Sequence, residues 1–203
     1  MKNIFESINR APSCAGLISG GIYDCDNPLQ PGIRKRVIIG SIDKIASKTE
    51  ITPGVLDSIV MLSGEQCYQF DGAKNSINPS VELREGTLAN TYGHLLALSI
   101  FEVDSAAKIN IQGMVHDRMF AIIENANDSS LGDSIFEVYG LGGMEVNELT
   151  RMPTDPDTSG AYVMNMQTPE AYGGETRLAS SLDAGGYEAT LALIDVLLAP
   201  ALP

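Results

Sequence analysis

The feature that most constrains the fold is the length of the apolar segments, because nearly all of them are as short as a β-strand. The chain has 203 residues, among them 20 glycines and 10 prolines, which divide it into short stretches. Segment 36–42 is rich in β-branched residues, and segment 94–101 is a nearly continuous apolar run. Both patterns are typical of strands. The sequence therefore predicts a β-rich chain, with further strands at 55–62, 66–70, 81–84, 119–124, 135–139, 144–149, 161–167 and 186–198.

Glycine, proline and small polar residues predict the connections between these strands. Segments 71–79 and 169–183 have the composition of loops. The sequence Gly-Leu-Gly-Gly at 140–143 predicts a tight hairpin between the strands on either side of it. Segment 186–198 contains no helix breaker, so a helix is the competing interpretation of that last strand.

One segment has the periodicity of a helix. Asp104 and Ser105 are suited to its N-terminus, because their side chains can accept hydrogen bonds from free backbone N–H groups. The residues that follow place four apolar side chains on one helix face, namely Ala107, Ile111, Met114 and Val115. The sequence thus predicts one amphipathic helix between two strands.

The fold class that these elements predict is α+β and mainly β. One α-helix accompanies the predicted strands. Residues 1–35 are rich in glycine and proline and are predicted to form an extended N-terminal arm or an irregular loop, while residues 36–203 are predicted to form a single β-rich domain.

A basic cluster ends the predicted arm. Arg34, Lys35 and Arg36 follow one another in a chain that is otherwise acidic. The functional hypothesis is that they contact an acidic neighbouring subunit. The competing interpretation is a solvated start of the first strand.

The net charge is strongly negative and unevenly distributed. The chain carries 13 basic and 26 acidic residues, and residues 101–203 hold 4 of the basic and 16 of the acidic ones. A surface of this sign repels phosphate backbones and anionic lipids, which argues against binding to nucleic acids or membranes. A wall past which DNA slides without binding would have the same sign.

No motif in the sequence predicts catalysis, a cofactor or a metal. Nucleophile-elbow, phosphate-loop and zinc-protease signatures are missing from the sequence, and His94 and His116 both fit structural roles. The segment 155–160 has the spacing of the start of a calcium loop, but the twelfth position is Met166, which cannot supply the required carboxylate. We therefore expect that the chain is not an enzyme and has no cofactor.

The cysteines and the hydropathy bear on the compartment. Cys14, Cys25 and Cys67 have no zinc-binding spacing and predict free thiols, although a bridge between Cys14 and Cys25 is also open. The sequence has no run of about 18 apolar residues that could span a bilayer. The first residues lack the apolar region of a secretory signal. We therefore expect folding in a cytoplasm.

The order of features after residue 80 resembles a known family. The segments that carry the resemblance are 82–86 (Glu-Leu-Arg-Glu-Gly), 136–141 (Phe-Glu-Val-Tyr-Gly-Leu), 157–163 (Asp-Thr-Ser-Gly-Ala-Tyr-Val) and 167–170 (Gln-Thr-Pro-Glu). Together with the strand, helix and strand at 94–124, they resemble the structural proteins of tailed bacteriophages and prophages, particularly the tail-tube type. The resemblance covers roughly residues 80–200 and is one of pattern.

The resemblance implies a virion subunit that acts by assembly. Tail-tube subunits consist of two packed β-sheets, so the resemblance implies a sandwich or barrel-like arrangement with one flanking α-helix. The subunits form hexameric rings whose inner strands make a continuous barrel, the rings stack, and arms and loops reach between neighbours. The partners would be copies of the chain and other virion proteins, the location would be the virion tail, and DNA would pass an acidic lumen without specific binding. Glu137, Glu145 and Glu148 are the lumen-facing candidates under this hypothesis.

Three alternatives remain open at the level of sequence. Another neck, hub or capsid-accessory protein would share the charge and the β-rich body. A monomeric binding module, such as an adhesin, would expose a cluster of aromatic side chains. An enzyme of unfamiliar type would need a deep pocket with converging carboxylates.

Overall fold

The computed structural model describes residues 32–72, 76–86, 89–126, 135–170 and 174–199, except for the side chain of Lys35. Strands dominate it, and two helices accompany them. The strands are β1 (Ile33–Ser41), β2 (Ile45–Thr52), β3 (Val55–Met61), β4 (Tyr68–Asp71), β5 (Ile77–Arg84), β6 (Thr91–Ile100), β7 (Met119–Asn125), β8 (Phe136–Arg151), β9 (Tyr162–Gln167) and β10 (Ser180–Leu182), and the helices are α1 (Ser105–His116) and α2 (Tyr187–Leu198).

The ten strands form one open, curled sheet with two arms. The first arm has the strand order β2-β3-β10-β8-β7-β1-β4, and the second has the order β5-β6-β9-β8. All neighbours are antiparallel except β3 and β10. The prediction of a mainly β, α+β fold is confirmed, while the arrangement as two separate packed sheets is not.

β8 joins the two arms, and the predicted hairpin at 140–143 is wrong. The strand continues through these residues, pairing with β7 and β10 in its first part and with β9 in its second. Gly140 and Gly143 have positive φ angles of 73° and 97°, which bend the strand without reversing it. A Cβ on Gly140 would lie 2.5 Å from the Cγ of Met144, so the bend requires glycine there.

A first hydrophobic core lies between the two arms. Val37 of β1, Leu96 and Leu98 of β6, and Met164 of β9 belong to it, and all four are at most 2% exposed. α1 covers this core with Ile111 and Met114, which are buried at helical spacing together with Ala107. Val115, the fourth residue of the predicted stripe, is 37% exposed. The carboxylate of Asp104 accepts a hydrogen bond of 2.7 Å from the Ala107 N–H, so the predicted cap and helix are confirmed.

A second core covers the opposite face of the first arm. Ile38, Phe120 and Phe136 are fully buried in it, and α2 packs over them with Ile194. The central strands of the first arm, β1, β7 and the first part of β8, are therefore covered on both faces, while its edge strands β2 and β4 are mostly exposed. This arrangement follows from the alternation of side chains along β1, whose residues 37 and 39 enter the first core and whose residue 38 enters the second.

The prediction of a closing strand at 186–198 is wrong, because this segment forms α2. Thr190, Ile194 and Leu197 are buried at the four- and three-residue spacing of one helix face. Val196, on another face of the helix, is 70% exposed. The described residues thus form two α-helices where one was predicted, and the competing helical interpretation of the segment is the right one.

Several boundaries also differ from the predictions. β1 begins at Ile33, so the basic cluster belongs to this strand and not to the predicted N-terminal arm. β2 was not predicted, β5 begins inside the predicted loop 71–79, and β10 lies inside the predicted loop 169–183. The predicted arm before Gly32 lies outside the described residues. Neither described helix has the length and apolar character needed to cross a membrane.

Candidate assembly surface

The second arm is buried on one face only. In β6, Leu96, Leu98 and Ile100 are buried in the first core, whereas Leu95 and Ala97 on the other face are half-buried. β9 repeats the pattern, since its methionines are buried and the polar residues between them are not. The alternation of apolar and polar residues in this strand is what places its methionines in the core.

The opposite face of the second arm is polar, and we call it the polar face. The registers of β5, β6, β9 and β8 place on it Asn78, Ser80, Glu82, Leu95, Ala97, Asn165, Gln167, Glu145 and Glu148. A shallow groove crosses this face, lined in part by Asn78, Ser80, Asn147 and Asn165. Amide, hydroxyl and carboxylate groups thus dominate a surface supported from behind by the first core.

Two of the three predicted lumen-facing residues, Glu145 and Glu148, lie together on the polar face. Glu148 accepts a hydrogen bond of 2.8 Å from the Asn165 amide. Glu82 shares the face and was missed, although the alternation of β5 would have indicated it. Arg84 is the basic residue beside it, with its Nε 3.0 Å from a carboxylate oxygen of Glu82. Acidic groups therefore outnumber basic ones among the described strand residues of this face.

The third predicted residue, Glu137, lies elsewhere. It is half-buried in the first part of β8 and accepts a hydrogen bond of 2.7 Å from the Tyr139 hydroxyl. Burial, together with this hydrogen bond, raises the pKa of Tyr139. The structure therefore does not bring Glu137 together with the carboxylates of the polar face.

Both outer strands of the second arm have an unpaired edge among the described residues. β5 pairs with β6 alone, and β8 from Val146 onward pairs with β9 alone. Leu149, at the β8 edge, is 39% exposed. Unpaired strand edges are templates for pairing with another chain, so these two edges are candidate contacts.

The basic cluster has a partner within the chain. The Nε atoms of Arg34 and Arg36 lie 3.1 Å and 2.9 Å from the two carboxylate oxygens of Glu124, whose side chain is 3% exposed. The Tyr187 hydroxyl donates a further hydrogen bond of 3.0 Å to Glu124. Burial is the main cause that raises the pKa of Tyr187, and this hydrogen bond is the second. These contacts tie β1, β7 and α2 together. A contact of the cluster with a neighbouring subunit stays a prediction.

Sequence reasoning missed Glu124. A signal was present, because it is a single carboxylate at the end of the otherwise apolar segment 119–124. A carboxylate buried in this way needs cationic or hydrogen-bonding partners. The nearest basic residues in the sequence do not supply them, and only the pairing of β1 with β7 brings the arginines to it.

His94 holds the bend of β8. Its Nδ1 accepts a hydrogen bond of 2.8 Å from the Gly140 N–H, and its Nε2 lies 3.2 Å from the carbonyl oxygen of Arg177. Since a carbonyl only accepts, Nε2 carries the proton. Burial is the main cause that lowers the pKa of His94, which favours the neutral ring. Glu175 holds the next part of the bend, because its carboxylate accepts a hydrogen bond from the Gly142 N–H.

The remaining candidate residues are held in local structure. The carboxylate of Asp155 accepts hydrogen bonds from the Asp157 N–H and the Thr158 hydroxyl, both 3.0 Å, and so closes a turn. Within the described ranges, no group of three or more potential metal ligands is found. Burial raises the pKa of the Cys67 thiol to about 12, and His116 is exposed in the last turn of α1. Cys14 and Cys25 lie outside the described residues.

Comparison with known proteins does not add a relative. No protein-family model, curated protein or solved structure matches the chain.

Proposed function

We propose that the chain is a virion structural subunit, and specifically a tail-tube protein that assembles with copies of itself into stacked rings around a channel for DNA. The observation that carries the proposal is the pair of open edges on the second arm. The arm has four strands and every pair in it is antiparallel, so β5 and β8 run in opposite directions. β5 of one copy can then pair antiparallel with β8 of the next, and a repeated rotation closes a ring.

The polar face is the surface that would line the channel. The other face of the second arm is buried in the first core, so it is not available to a lumen. On the polar face, Glu82, Glu145 and Glu148 give a negative character that would repel the phosphates of passing DNA. This supports passage of DNA without specific binding.

A role without catalysis fits the environment of the perturbed side chains. The described residues with clearly shifted pKa values include His94, Tyr139, Tyr187 and Cys67, and the main cause in each is burial. The ring nitrogens of His94 are both engaged with the backbone, and the two tyrosines are bound to glutamates. These groups stabilise the fold, which is why we assign the chain no reaction and no cofactor.

Size-exclusion chromatography with light scattering, followed by negative-stain microscopy, tests the proposal. We expect rings or tubes at high protein concentration. Leu149→Lys places a charge at the open β8 edge and should prevent assembly, because lysine blunts a strand edge. Val196→Lys is the matched control, since this residue of α2 is also exposed and apolar but lies away from the second arm.

The outcomes separate the alternatives. A monomer of 21.6 kDa that persists at high concentration would contradict the proposal. Rings that do not stack into tubes would favour a neck or hub component. Assembly that is blocked by Val196→Lys and unaffected by Leu149→Lys would place the contact at α2 and contradict a contact through the edges of the second arm.

A monomeric binding module is the second candidate, and one surface favours it. A groove between β4 and the end of β6 is lined by Tyr68 and Phe101, which are 52% and 45% exposed. Exposed aromatic side chains beside a groove are typical of ligand-binding surfaces. Tyr68→Ala should then abolish binding to a carbohydrate array while leaving any self-assembly unchanged, whereas it should not affect a tail-tube subunit that binds no sugar.

A further inference from the structure

The open edge of β5 lacks one hydrogen-bond donor. The Ser99 N–H donates to the Ser76 carbonyl, which identifies these residues as a hydrogen-bonded pair. Because such pairs alternate along an antiparallel ladder, the backbone groups of Ile77, Pro79 and Val81 point away from β6. Proline has no N–H, so the β5 edge has a gap in its row of donors at residue 79.

The open edge of β8 is also irregular at one position. The Thr168 N–H donates to the His94 carbonyl, which makes these residues a hydrogen-bonded pair that extends the ladder between β9 and β6. Hydrogen-bonded and non-hydrogen-bonded pairs alternate along the ladder, so the backbone groups of Gln167 and Asn165 point toward β8. Their partners are Glu145 and Glu148, and a register shift between Val146 and Glu148 leaves Asn147 as an extra residue. The backbone groups of Val146 and Leu149 therefore point to the open edge, with the bulge between them.

We propose that one register joins neighbouring copies, in which Pro79 of one copy faces the bulge at Asn147 of the next. The inference rests on the proposed function, because it describes the ring contact that the function requires. The missing donor then lies where the opposite strand is itself irregular. Ile77 lies opposite Leu149 and keeps its N–H paired. The pairing between copies ends at Glu145, because the next residue toward the N-terminus of β8, Met144, already lies opposite Met119 of β7.

The polar side chains agree with this register. Asn78 lies opposite Glu148, and Ser80 lies opposite Glu145, so amide and hydroxyl donors meet carboxylates across the contact. A shift of two residues in one direction places Glu82 opposite Glu145, and like charges directly opposite destabilise a sheet. A shift in the other direction moves Ile77 to the bulge and leaves its N–H without a regular partner.

Disulfide cross-linking between copies tests the register. Asn78 and Glu148 form a non-hydrogen-bonded pair across the contact, where Cα atoms lie about 4.5 Å apart and a disulfide can form. The full-length double variant Asn78→Cys/Glu148→Cys is prepared with Cys14 and Cys25 changed to serine, while the buried Cys67 is retained. Ser80→Cys/Glu148→Cys and Asn78→Cys/Glu145→Cys report the two shifted registers.

We expect oxidation of assembled Asn78→Cys/Glu148→Cys to give a ladder of covalent multimers on a non-reducing gel. The yield should exceed that of either control at least about tenfold, because a two-residue shift moves the Cα atoms about 7 Å along the strand. Rings that cross-link best in a control variant overturn the register and leave the structural role standing. Protein that forms no assemblies overturns both.

Discussion

An inner strand of the first arm, β7, differs from an inner strand of the second, β6. In β7, residues 119–124 are all buried, because the first core covers one face and the second core, under α2, covers the other. In β6, buried and half-buried residues alternate from His94 to the end of the strand. The centre of the first arm is therefore the interior of the fold. The second arm is covered by the first core on one face only. Its other face presents polar groups, and its outer strands have open edges.

We expect replacement of a side chain by alanine to lower the free energy of unfolding far more in the centre of the first arm than on the polar face. Phe120→Ala should lower the free energy of unfolding by about 3–5 kcal/mol, because the side chain is fully buried and its loss leaves a cavity. Leu95→Ala, on the polar face, should cost no more than about 1 kcal/mol. Denaturant unfolding followed by circular dichroism measures both, and equal losses would remove the distinction between the arms.

The buried ion-pair network of the first arm should be the next most sensitive site. Glu124→Gln leaves Arg34 and Arg36 without their carboxylate, and we expect a loss of about 2 kcal/mol, because the arginines are partly exposed and can be solvated again. Glu145→Gln, in the second arm, should change stability by less than about 0.5 kcal/mol. A loss for Glu145→Gln as large as that for Glu124→Gln would contradict this account.

The bend between the arms should respond to pH through His94. Its pKa in the folded state lies below the ordinary value of 6.5, so the unfolded chain binds the proton first as the pH falls. The stability from the neutral ring is complete above about pH 6.5 and is lost as the pH falls below it, with a slope of at most about 1.4 kcal/mol per pH unit.

Urea unfolding at a series of pH values measures this slope. His94→Gln removes the titrating ring while keeping an acceptor for the Gly140 N–H, and it should flatten the profile near pH 6. The charged groups Glu175 and Arg84 also face the ring, the first raising its pKa and the second lowering it. A profile unchanged in His94→Gln would assign the slope to other groups.

The difference between the arms also shows how far the sequence could predict the fold. The alternation of β9 from Met164 to Gln167 and the capped apolar stripe of α1 are local patterns that indicate their structure without tertiary contacts, and both elements were predicted. α2 was misassigned because its apolar residues fit a strand and a helix, and only packing against Phe136 and its neighbours decides between them. β8 was divided in two because glycines that bend a strand have the same composition as glycines that reverse it.

The candidate surface was predictable only in part. Glu145 and Glu148 could be expected on one strand, but their grouping with Glu82 depends on the pairing of β5, β6, β9 and β8, which sequence periodicity does not specify. Glu137 was assigned to the same group because the bend in β8 was not foreseen. The partner of Arg34 and Arg36 likewise depends on a pairing between distant segments.

The smallest expected effect on stability belongs to the charges of the polar face. Glu82 lies on this face outside the proposed contact between copies, and Glu82→Lys should unfold within about 1 kcal/mol of the original chain, because surface substitutions rarely cost more. Its assemblies should nevertheless retain DNA at low salt, since each copy then adds a positive charge to the lining. Filter binding with labelled double-stranded DNA measures retention, and an unchanged result would remove Glu82 from the channel wall.

Amide hydrogen exchange tests the central claim most directly, by comparing the free chain with the assembled form. The account predicts new protection at the backbone amides of Ile77 in β5 and of Val146 and Leu149 in β8, since these groups point to the open edges of the second arm. The open edges of the first arm, β2 and β4, should exchange as before. Protection gained at β2 or β4, with β5 and β8 unchanged, would contradict the claim that copies assemble through the second arm.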